Sequence, residues 1–204
     1  MNLGDFKNII SLPIRLAFSH ETVNRFGLRS VRDERYAIVR NHCKGRLLDI
    51  GCGNNQLVKD YGHDSVGVDV WDFGGGTLIV ENTANLPFDN SSFQTVTFVA
   101  SLNHIPNRGQ VIRESYRLLS NDGLLLVTMI NPFWGAIRHK LAKWDKDQRE
   151  REMKKGEKMG LSHEELISIV EKGGFRLIKR LRFLLWINNL YIFRKDSIYR
   201  QVTK

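Results

Sequence analysis

Short apolar runs recur through the middle of the chain, and most are apolar at consecutive positions rather than at every second one. They cover residues 46–50 (RLLDI), 65–70 (SVGVDV), 95–100 (TVTFVA) and 124–130 (LLLVTMI), and residues 77–80 (TLIV) are a candidate for a further short strand. A strand covered by helices on both faces has this pattern, because neither face meets water. The runs therefore predict the central strands of a parallel sheet.

Segments of helical length lie between and around these runs. They cover residues 30–42, 54–62, 107–120 and 161–175. The last one carries the signature of a capping box at Ser162 and Glu165. Strands that alternate with helices are typical of the α/β class. We therefore predict a single domain over residues 1–204, with a Rossmann-like, doubly wound and mostly parallel sheet.

The two ends of the chain do not follow this alternation. Residues 175–195 have the pattern of two strands joined at Asn188 and Asn189, which predicts a C-terminal antiparallel hairpin strand at the end of the sheet. Residues 1–30 contain a short helix, or two pieces broken near Pro13. We expect this segment to form an N-terminal cap over the functional site.

An insertion at residues 132–160 also departs from the rhythm. Ile137, Leu141 and Trp144 recur at helical spacing, and the second half of the segment is nearly all charged. We predict an inserted basic amphipathic helix that forms part of a substrate pocket. The alternative is that its aromatic residues only dock the insertion on the sheet.

The stretch LLDIGCGNN indicates a ligand site. A strand that ends in an acid and continues into Gly51 and Gly53 can bring its backbone close to a ligand at the carboxyl edge of a sheet. The third glycine of a dinucleotide fingerprint would fall at Gln56, and the chain has no GxxxxGK[ST] phosphate loop. Asp49 and, twenty residues later, Asp69 instead suit a nucleoside that carries a cationic group.

Four stretches in this order resemble the class I S-adenosylmethionine-dependent methyltransferases. The greatest similarity is to the small-molecule (type 11) group typified by quinone-biosynthesis enzymes. The stretches are LLDIGCGNN, VGVDV, NTANLPFDNSSFQTVTFVASLNHI and LLSNDGLLLVTMINP, and they span roughly residues 36–131. The resemblance implies S-adenosyl-L-methionine as cofactor and in-line methyl transfer to a small or amphiphilic acceptor.

The resemblance also implies which residues hold the cofactor. They are Asp49, Gly51, Cys52, Gly53, Asp69, Val70, Trp71, Asn82, Thr83, Ala100 and Ser101. Asp49 would orient or neutralise the amino group of the methionine part, and Asp69 would hold the ribose, with Asp72 as the rival acid. Val70 and Trp71 would flank the adenine, unless Trp71 belongs to the core. The strand end at 100–101 would approach the sulfonium.

Two positions depart from the family pattern, and a third residue is a candidate base. Asn82 stands where an acid is usual, and its carbonyl can accept a hydrogen bond without charge. Gln94 replaces a second acid, and these departures keep open a non-catalytic cofactor-binding protein. His104 is the candidate catalytic base if the acceptor must lose a proton. The alternative role of His104 is structural or substrate-positioning.

Positive charge is concentrated in the C-terminal third of the chain. Residues 1–131 carry 13 Lys/Arg and 13 Asp/Glu, whereas residues 132–204 carry 18 and 9. Such an excess suits an anionic partner, or only a solvated helix face. The string NPFW at 131–134 resembles a motif of nucleic-acid methyltransferases, but it follows the wrong strand and has Phe133 for a proline. We therefore rank nucleic acid below a small or lipid-like acceptor, with peripheral membrane association as an option.

Cysteine usage and hydropathy indicate the compartment. Cys43 and Cys52 cannot form a zinc site alone and do not suggest a secreted disulfide framework. The chain has no apolar run of membrane-spanning length and no pattern of a signal peptide. We expect a cytoplasmic protein that uses no metal.

Overall fold

The computed structural model describes residues 10–135 and 156–196. Within them, seven strands form one sheet: β1 (Leu47–Ile50), β2 (Val66–Asp69), β3 (Leu78–Ile79), β4 (Phe93–Val99), β5 (Leu119–Ile130), β6 (Phe175–Phe183) and β7 (Asn188–Lys195). The strand order is β3-β2-β1-β4-β5-β7-β6. Strand β7 runs antiparallel to both of its neighbours, and the other pairs are parallel. The predicted mostly parallel sheet with a C-terminal antiparallel hairpin is confirmed.

The helices lie where the amphipathic segments predict them, with shorter bounds. They are α1 (Leu12–Ala17), α2 (His20–Arg25), α3 (Val31–Arg40), α4 (Gln56–Tyr61), α5 (Arg108–Leu118) and α6 (His163–Glu171), with a 3-10 turn at Leu102–His104. The side chain of Ser30 caps α3 by accepting from the backbone of Asp33. Ser162 and Glu165 form the expected capping box of α6.

Both faces of the central strands β1 and β4 are buried, which accounts for their consecutive apolar residues. On one face, Leu48 and Ile50 of β1 belong to the main core together with apolar residues of α5 and α6. On the other face, Leu47 packs in a second cluster with Val39 of α3 and Leu57 of α4. Neighbouring residues of one strand therefore enter different cores.

A third apolar cluster lies at the carboxyl edge of β5. Leu12 and Leu16 of α1 pack there with Val31 of α3 and with Leu184 and Ile187 of the β6–β7 turn. Proline lies in the first turn of α1, where its missing N–H costs little, so the break between α1 and α2 falls after residue 17 instead. The N-terminal helices are thus fixed to the same edge as the turn.

The β6–β7 turn corrects one prediction. Residues 184–187 form the turn, whereas Asn188 and Asn189 are buried at the start of β7. The side chain of Asn188 accepts a hydrogen bond from Arg35 of α3, and Asn189 accepts one from Arg180 of β6. Partners from other strands and helices therefore hold the side-chain oxygens of two residues that a local pattern assigns to a turn.

Strand β5 is longer than predicted, because it begins at Leu119 directly after α5.

Of the helices in residues 10–135 and 156–196, none is long and apolar enough to cross a bilayer. Cys43 and Cys52 are free thiols.

Candidate cofactor and acceptor site

The loops after β1, β2 and β4 meet at the carboxyl edge of the sheet. The backbone N–H groups of Gly51 and Cys52 donate to the carbonyl of Val68, at 2.9 and 3.2 Å. The hydroxyl of Ser101 donates to the carbonyl of Ile50 at 2.6 Å. These bonds join three loops that are distant in sequence, and they bring the predicted cofactor-binding residues of β1, β2 and β4 together.

Asp49 is a buried acid in the middle of this edge. Its side chain is almost fully removed from water, and the hydroxyl of Thr97 on β4 donates to it at 2.7 Å. Burial raises the pKa of Asp49 to about 7, the Thr97 hydrogen bond opposes this rise, and the nearby Asp69 charge adds to it. A carboxylate in this position gains most from a cation that arrives with a ligand.

Asp69 is held by the backbone of two loops. One oxygen accepts from Val70 at 2.8 Å and from Trp71 at 3.3 Å, and the other accepts from Gly53 at 2.9 Å. A carboxylate has about four acceptor positions, so these three bonds leave room for one further donor. Asp69 therefore positions the loop of Gly53 and has capacity for one ribose hydroxyl rather than two. The rival Asp72 is exposed and accepts from Gly74.

The two glycines of the first loop have different structural reasons. Both have positive φ, of 75° at Gly51 and 56° at Gly53. A Cβ added to Gly51 would lie 2.5 Å from the Cβ of Ser101, whereas a Cβ on Gly53 would meet nothing within 4 Å. Gly51 thus permits the close approach of two loops, and Gly53 faces open space.

A second glycine loop packs against the first. The side chain amide of Asn55 donates to the carbonyls of Gly75 and Gly76, and the hydroxyl of Thr77 donates to the carbonyl of Gly53. Cys52 is buried beneath them, within 3.5 Å of the Thr77 hydroxyl, and burial raises the pKa of its thiol to about 12. Cys52 is therefore a neutral packing residue of the turn.

The residues predicted around the adenine differ in exposure and in their hydrogen bonds. Val70 and Trp71 are 43% and 61% exposed, which leaves their side chains accessible to a planar ligand. The side-chain carbonyl of Asn82 already accepts from the backbone of Ala84 at 2.9 Å and from the amide of Asn107 at 3.3 Å. Both of its lone pairs are thus used within the protein. Thr83 beside it is buried.

The end of β4 has a constrained backbone. Ala100 has φ of 55°, a left-handed value that costs energy for alanine, and its N–H donates to the hydroxyl of Thr128 on β5 at 2.9 Å. The same turn directs Ser101 towards Gly51. Ala100 and Ser101 therefore lie next to the glycine loop.

His104 lies on the 3-10 turn that follows. Its Nδ1 is 3.7 Å from a carboxylate oxygen of Glu157; the His104 side chain is 41% exposed and that of Glu157 is 2% exposed. The segment that carries Glu157 is fastened by two hydrogen bonds of 2.9 Å between Asn103 and Lys158. Arg108 adds bonds to the carbonyls of Asn103 and Gly156. A buried acid therefore faces an accessible imidazole.

Both ends of the insertion, residues 132–135 and 156–160, are described, whereas residues 136–155, which include Ile137, Leu141 and Trp144, lie outside the described residues. Asn131 accepts from the backbone of Phe133 at 3.0 Å and donates its own N–H to the carbonyl of Ile187. The side-chain oxygen of Asn131 thus caps a turn. The rings of Phe133 and Trp134 meet edge to face and are 65% and 38% exposed.

Sequence reasoning missed several residues that build this site. Thr97, Thr128 and Glu157 hold the candidate functional groups, yet no motif marks them. The one available signal for the two threonines is their polarity within otherwise apolar central strands, where a hydroxyl needs a partner.

The side chains and loops at this edge of the sheet suit S-adenosylmethionine. A buried acid with raised pKa favours a cation, and the sulfonium and ammonium groups of this cofactor are cations. No protein atom blocks the space next to Gly53, and Asp69 retains one acceptor position for a hydroxyl. The exposed Val70 and Trp71 offer an apolar surface for the base.

Comparison with known proteins identifies the family to which the chain is similar. The family described as the methyltransferase domain matches residues 19–180. A ubiquinone biosynthesis O-methyltransferase of Glaesserella parasuis is 28% identical over 151 residues, which is 63% of this chain and 57% of that enzyme. An uncharacterized protein of Methanocaldococcus jannaschii is 33% identical over 94 residues, 42% of this chain and 37% of that protein. The matches thus span less than two thirds of either relative.

The fold is similar to that of a solved S-adenosylmethionine-dependent methyltransferase of Thermotoga maritima, described as a possible histamine N-methyltransferase. The TM-score is 0.56 at 18% identity, over 87% of this chain and 98% of that one. At this identity the likeness shows a common fold, and the family match over residues 19–180 carries the assignment.

Proposed function

Because the chain belongs to the methyltransferase domain family, as an S-adenosylmethionine-dependent enzyme, we propose that it methylates a small or amphiphilic acceptor by in-line transfer beside His104. The observation that supports this most directly is the pair of buried acids at adjacent strand ends, with the open Gly53 between their loops. Asp49 would hold the ammonium group, Asp69 a ribose hydroxyl, and Val70 and Trp71 the adenine. Ala100 and Ser101 would lie beside the sulfonium.

The cofactor supplies an activated methyl group whose leaving group needs no protonation. The chain's own residues then have two tasks, which are to align the acceptor with that methyl group and to exclude water. Alignment is supported by the bonds that join the loops of Gly51, Gly53 and Ser101.

His104 is proposed as the base that takes a proton from a hydroxyl or acidic carbon of the acceptor. Its position on an accessible turn supports contact with the acceptor, and Glu157 on its other side would stabilise the imidazolium that forms. Phe133 and Trp134 lie at the same edge and are proposed as part of an apolar wall of the acceptor pocket. Residues 132–160 and the N-terminal helices would complete this pocket, with a lipid-like acceptor as the substrate class.

The test combines methyl transfer from labelled S-adenosylmethionine to a panel of phenolic and amphiphilic acceptors with cofactor titration. His104→Gln should lower kcat at least about tenfold and leave the cofactor Kd unchanged, since general-base catalysis contributes about 10²–10⁴-fold. His163→Gln, on the distant α6, is the matched control and should change neither. Equal losses of turnover and cofactor affinity in His104→Gln would contradict the base role. Transfer to RNA instead of the panel would favour a nucleic-acid acceptor.

A further inference from the structure

The turn between β6 and β7 has an unusual composition for its backbone. Leu184, Leu185 and Trp186 all have left-handed φ values, of 52°, 51° and 68°. Such positions favour glycine, asparagine or aspartate, because a Cβ costs energy there. Leu184 faces inwards and is 6% exposed, whereas Leu185 and Trp186 are 52% and 74% exposed. Two large apolar side chains therefore face outwards from strained positions that would suit smaller, polar residues.

The hairpin that carries this turn is strongly basic. Residues 175–195 contain six Lys/Arg and no Asp or Glu. Charges on β6 are partly explained by its place at the edge of the sheet, where they discourage pairing with another strand. That explanation does not extend to Leu185 and Trp186, which lie beyond the strand. An apolar tip on a cationic stem has the chemistry that inserts into the interface of an anionic bilayer.

The turn lies at the same edge of the sheet as the cofactor loops. Asn188, the residue after the turn, pairs with Ile130 at the carboxyl end of β5, and Asp49 and Ala100 are at the carboxyl ends of the parallel β1 and β4. Helix α1 packs against the turn through Leu12, and Ile14 and Phe18 of the same segment are 43% and 49% exposed. Further apolar side chains are therefore available at this end of the molecule.

We propose that the turn at residues 184–187 docks the protein on an anionic phospholipid surface, with Leu185 and Trp186 entering the interface and the exposed Lys179 and Arg182, which lie towards the turn end of β6, facing the headgroups. This rests on the proposed function only in one respect: a docked bilayer would deliver an apolar acceptor to the edge at which the methyl group is held. Aliphatic Leu185 beside Trp186 favours lipid over RNA, whose bases are bound by stacking on aromatic rings.

The experiment measures co-sedimentation of the full chain with phosphatidylcholine vesicles, with and without about a quarter phosphatidylglycerol. The test variant is Leu185→Asn/Trp186→Gly, which removes both apolar side chains and relieves the left-handed strain. The control is Ile178→Thr, which removes an apolar side chain that is 43% exposed on the same hairpin. Cofactor Kd and the unfolding midpoint are measured for each protein.

The wild-type chain should sediment with anionic vesicles, and salt should weaken the binding. The double variant should bind at least about tenfold more weakly, since two half-exposed apolar side chains no longer leave water. Its unfolding midpoint should be unchanged or higher, and its cofactor Kd unchanged. Ile178→Thr should bind vesicles as the wild type does.

Four outcomes would overturn the inference. They are vesicle binding that survives in the double variant, equal binding to neutral and anionic vesicles, no vesicle binding by the wild type, and retention of a single-stranded RNA oligonucleotide in place of vesicles. Intact cofactor binding with absent vesicle binding would reject this docking surface and leave the proposed function standing. Vesicle binding without cofactor binding would do the reverse.

Discussion

The two halves of the sheet's carboxyl edge differ in the side chains that they bury and expose. In the half formed by β1, β2 and β4, the acids Asp49 and Asp69 are buried and accept hydrogen bonds from within the protein. In the half formed by β5 and the β6–β7 hairpin, large apolar side chains such as Phe133 and Trp186 are exposed. Internal hydrogen bonds hold the polar side chains of the first half, whereas the apolar side chains of the second are open to solvent. The difference explains why the cofactor can be identified more closely than the acceptor.

The largest effect is expected from adding a Cβ at Gly51, in the closely packed first half of the edge. Gly51→Ala should abolish cofactor binding and lower the free energy of unfolding by about 3 kcal/mol or more, because the new Cβ meets Ser101 and the backbone is left-handed. Gly27→Ala is the matched control, since Gly27 has φ of 66° with nothing within 4 Å of an added Cβ. It should cost only about 1–2 kcal/mol. Denaturant unfolding and calorimetry measure both quantities. Similar losses in the two variants would show that the loops need no close approach.

The second test decides between the two candidate ribose acids. Asp69→Asn should weaken cofactor binding about 10- to 100-fold, because a hydrogen bond to a charged group contributes about 1.5–3 kcal/mol. Asp72→Asn, on the same loop but exposed, should change the Kd less than about threefold. The measurement is calorimetric titration of each variant. The reverse order of effects would assign the ribose to Asp72.

Asp49 should act on stability and on cofactor binding with opposite signs. Its pKa is raised from 3.8 to about 7 in the folded chain, so folding disfavours its ionised form. The free energy of unfolding of the cofactor-free protein should therefore fall as the pH rises from about 4 to about 7, and Asp49→Asn should remove this fall. Unfolding at a series of pH values measures the effect. A pH-independent difference between the two proteins would contradict the buried charge.

Cofactor affinity should follow the same ionisation in the other direction. A bound cation favours the charged carboxylate, so the affinity of the wild type should rise between about pH 6 and pH 8. Asp49→Asn should bind about tenfold more weakly at pH 8 and show a flat profile.

The smallest effect is expected from the hydroxyl that contacts Asp49. Thr97→Val removes a buried donor, so it should raise the pKa of Asp49 further and move the rise in cofactor affinity to higher pH. The stability cost should be about 1 kcal/mol. Thr95→Val, on the same strand and equally buried, loses bonds to Lys44 instead. It should lower stability and leave the pH profile in place, which separates a local electrostatic role from general packing.

The same contrast governs how far the sequence predicts the structure. Local patterns were sufficient for the central strands and for the capping box of α6, because strand burial and helix capping depend on neighbouring residues. They were insufficient for Asn188 and Asn189, whose partners Arg35 and Arg180 come from other elements. An exposed Leu-Trp turn with left-handed backbone breaks the usual turn chemistry, so no local rule predicts it.

Within the site, residues with a chemical role were more predictable than those that position them. Asp49 and Gly51 stand out because an acid and a glycine interrupt an apolar run. Thr97 and Glu157 do not, since their contacts depend on the pairing of β1 with β4 and on the return of the chain after residue 155. The sequence alone left the role of Asn82 undecided. In the structure, its side-chain carbonyl accepts hydrogen bonds from two internal donors.

The central claim is that two buried acids at the carboxyl edge bind a cationic nucleoside cofactor. Calorimetric titration of the wild-type chain with S-adenosylmethionine at pH 8, beside Asp69→Asn under the same conditions, tests it most directly. We expect one binding site in the wild type and a loss of affinity of about 10- to 100-fold in the variant. Absence of binding to the wild type at millimolar cofactor, or equal affinity in the two proteins, would contradict it.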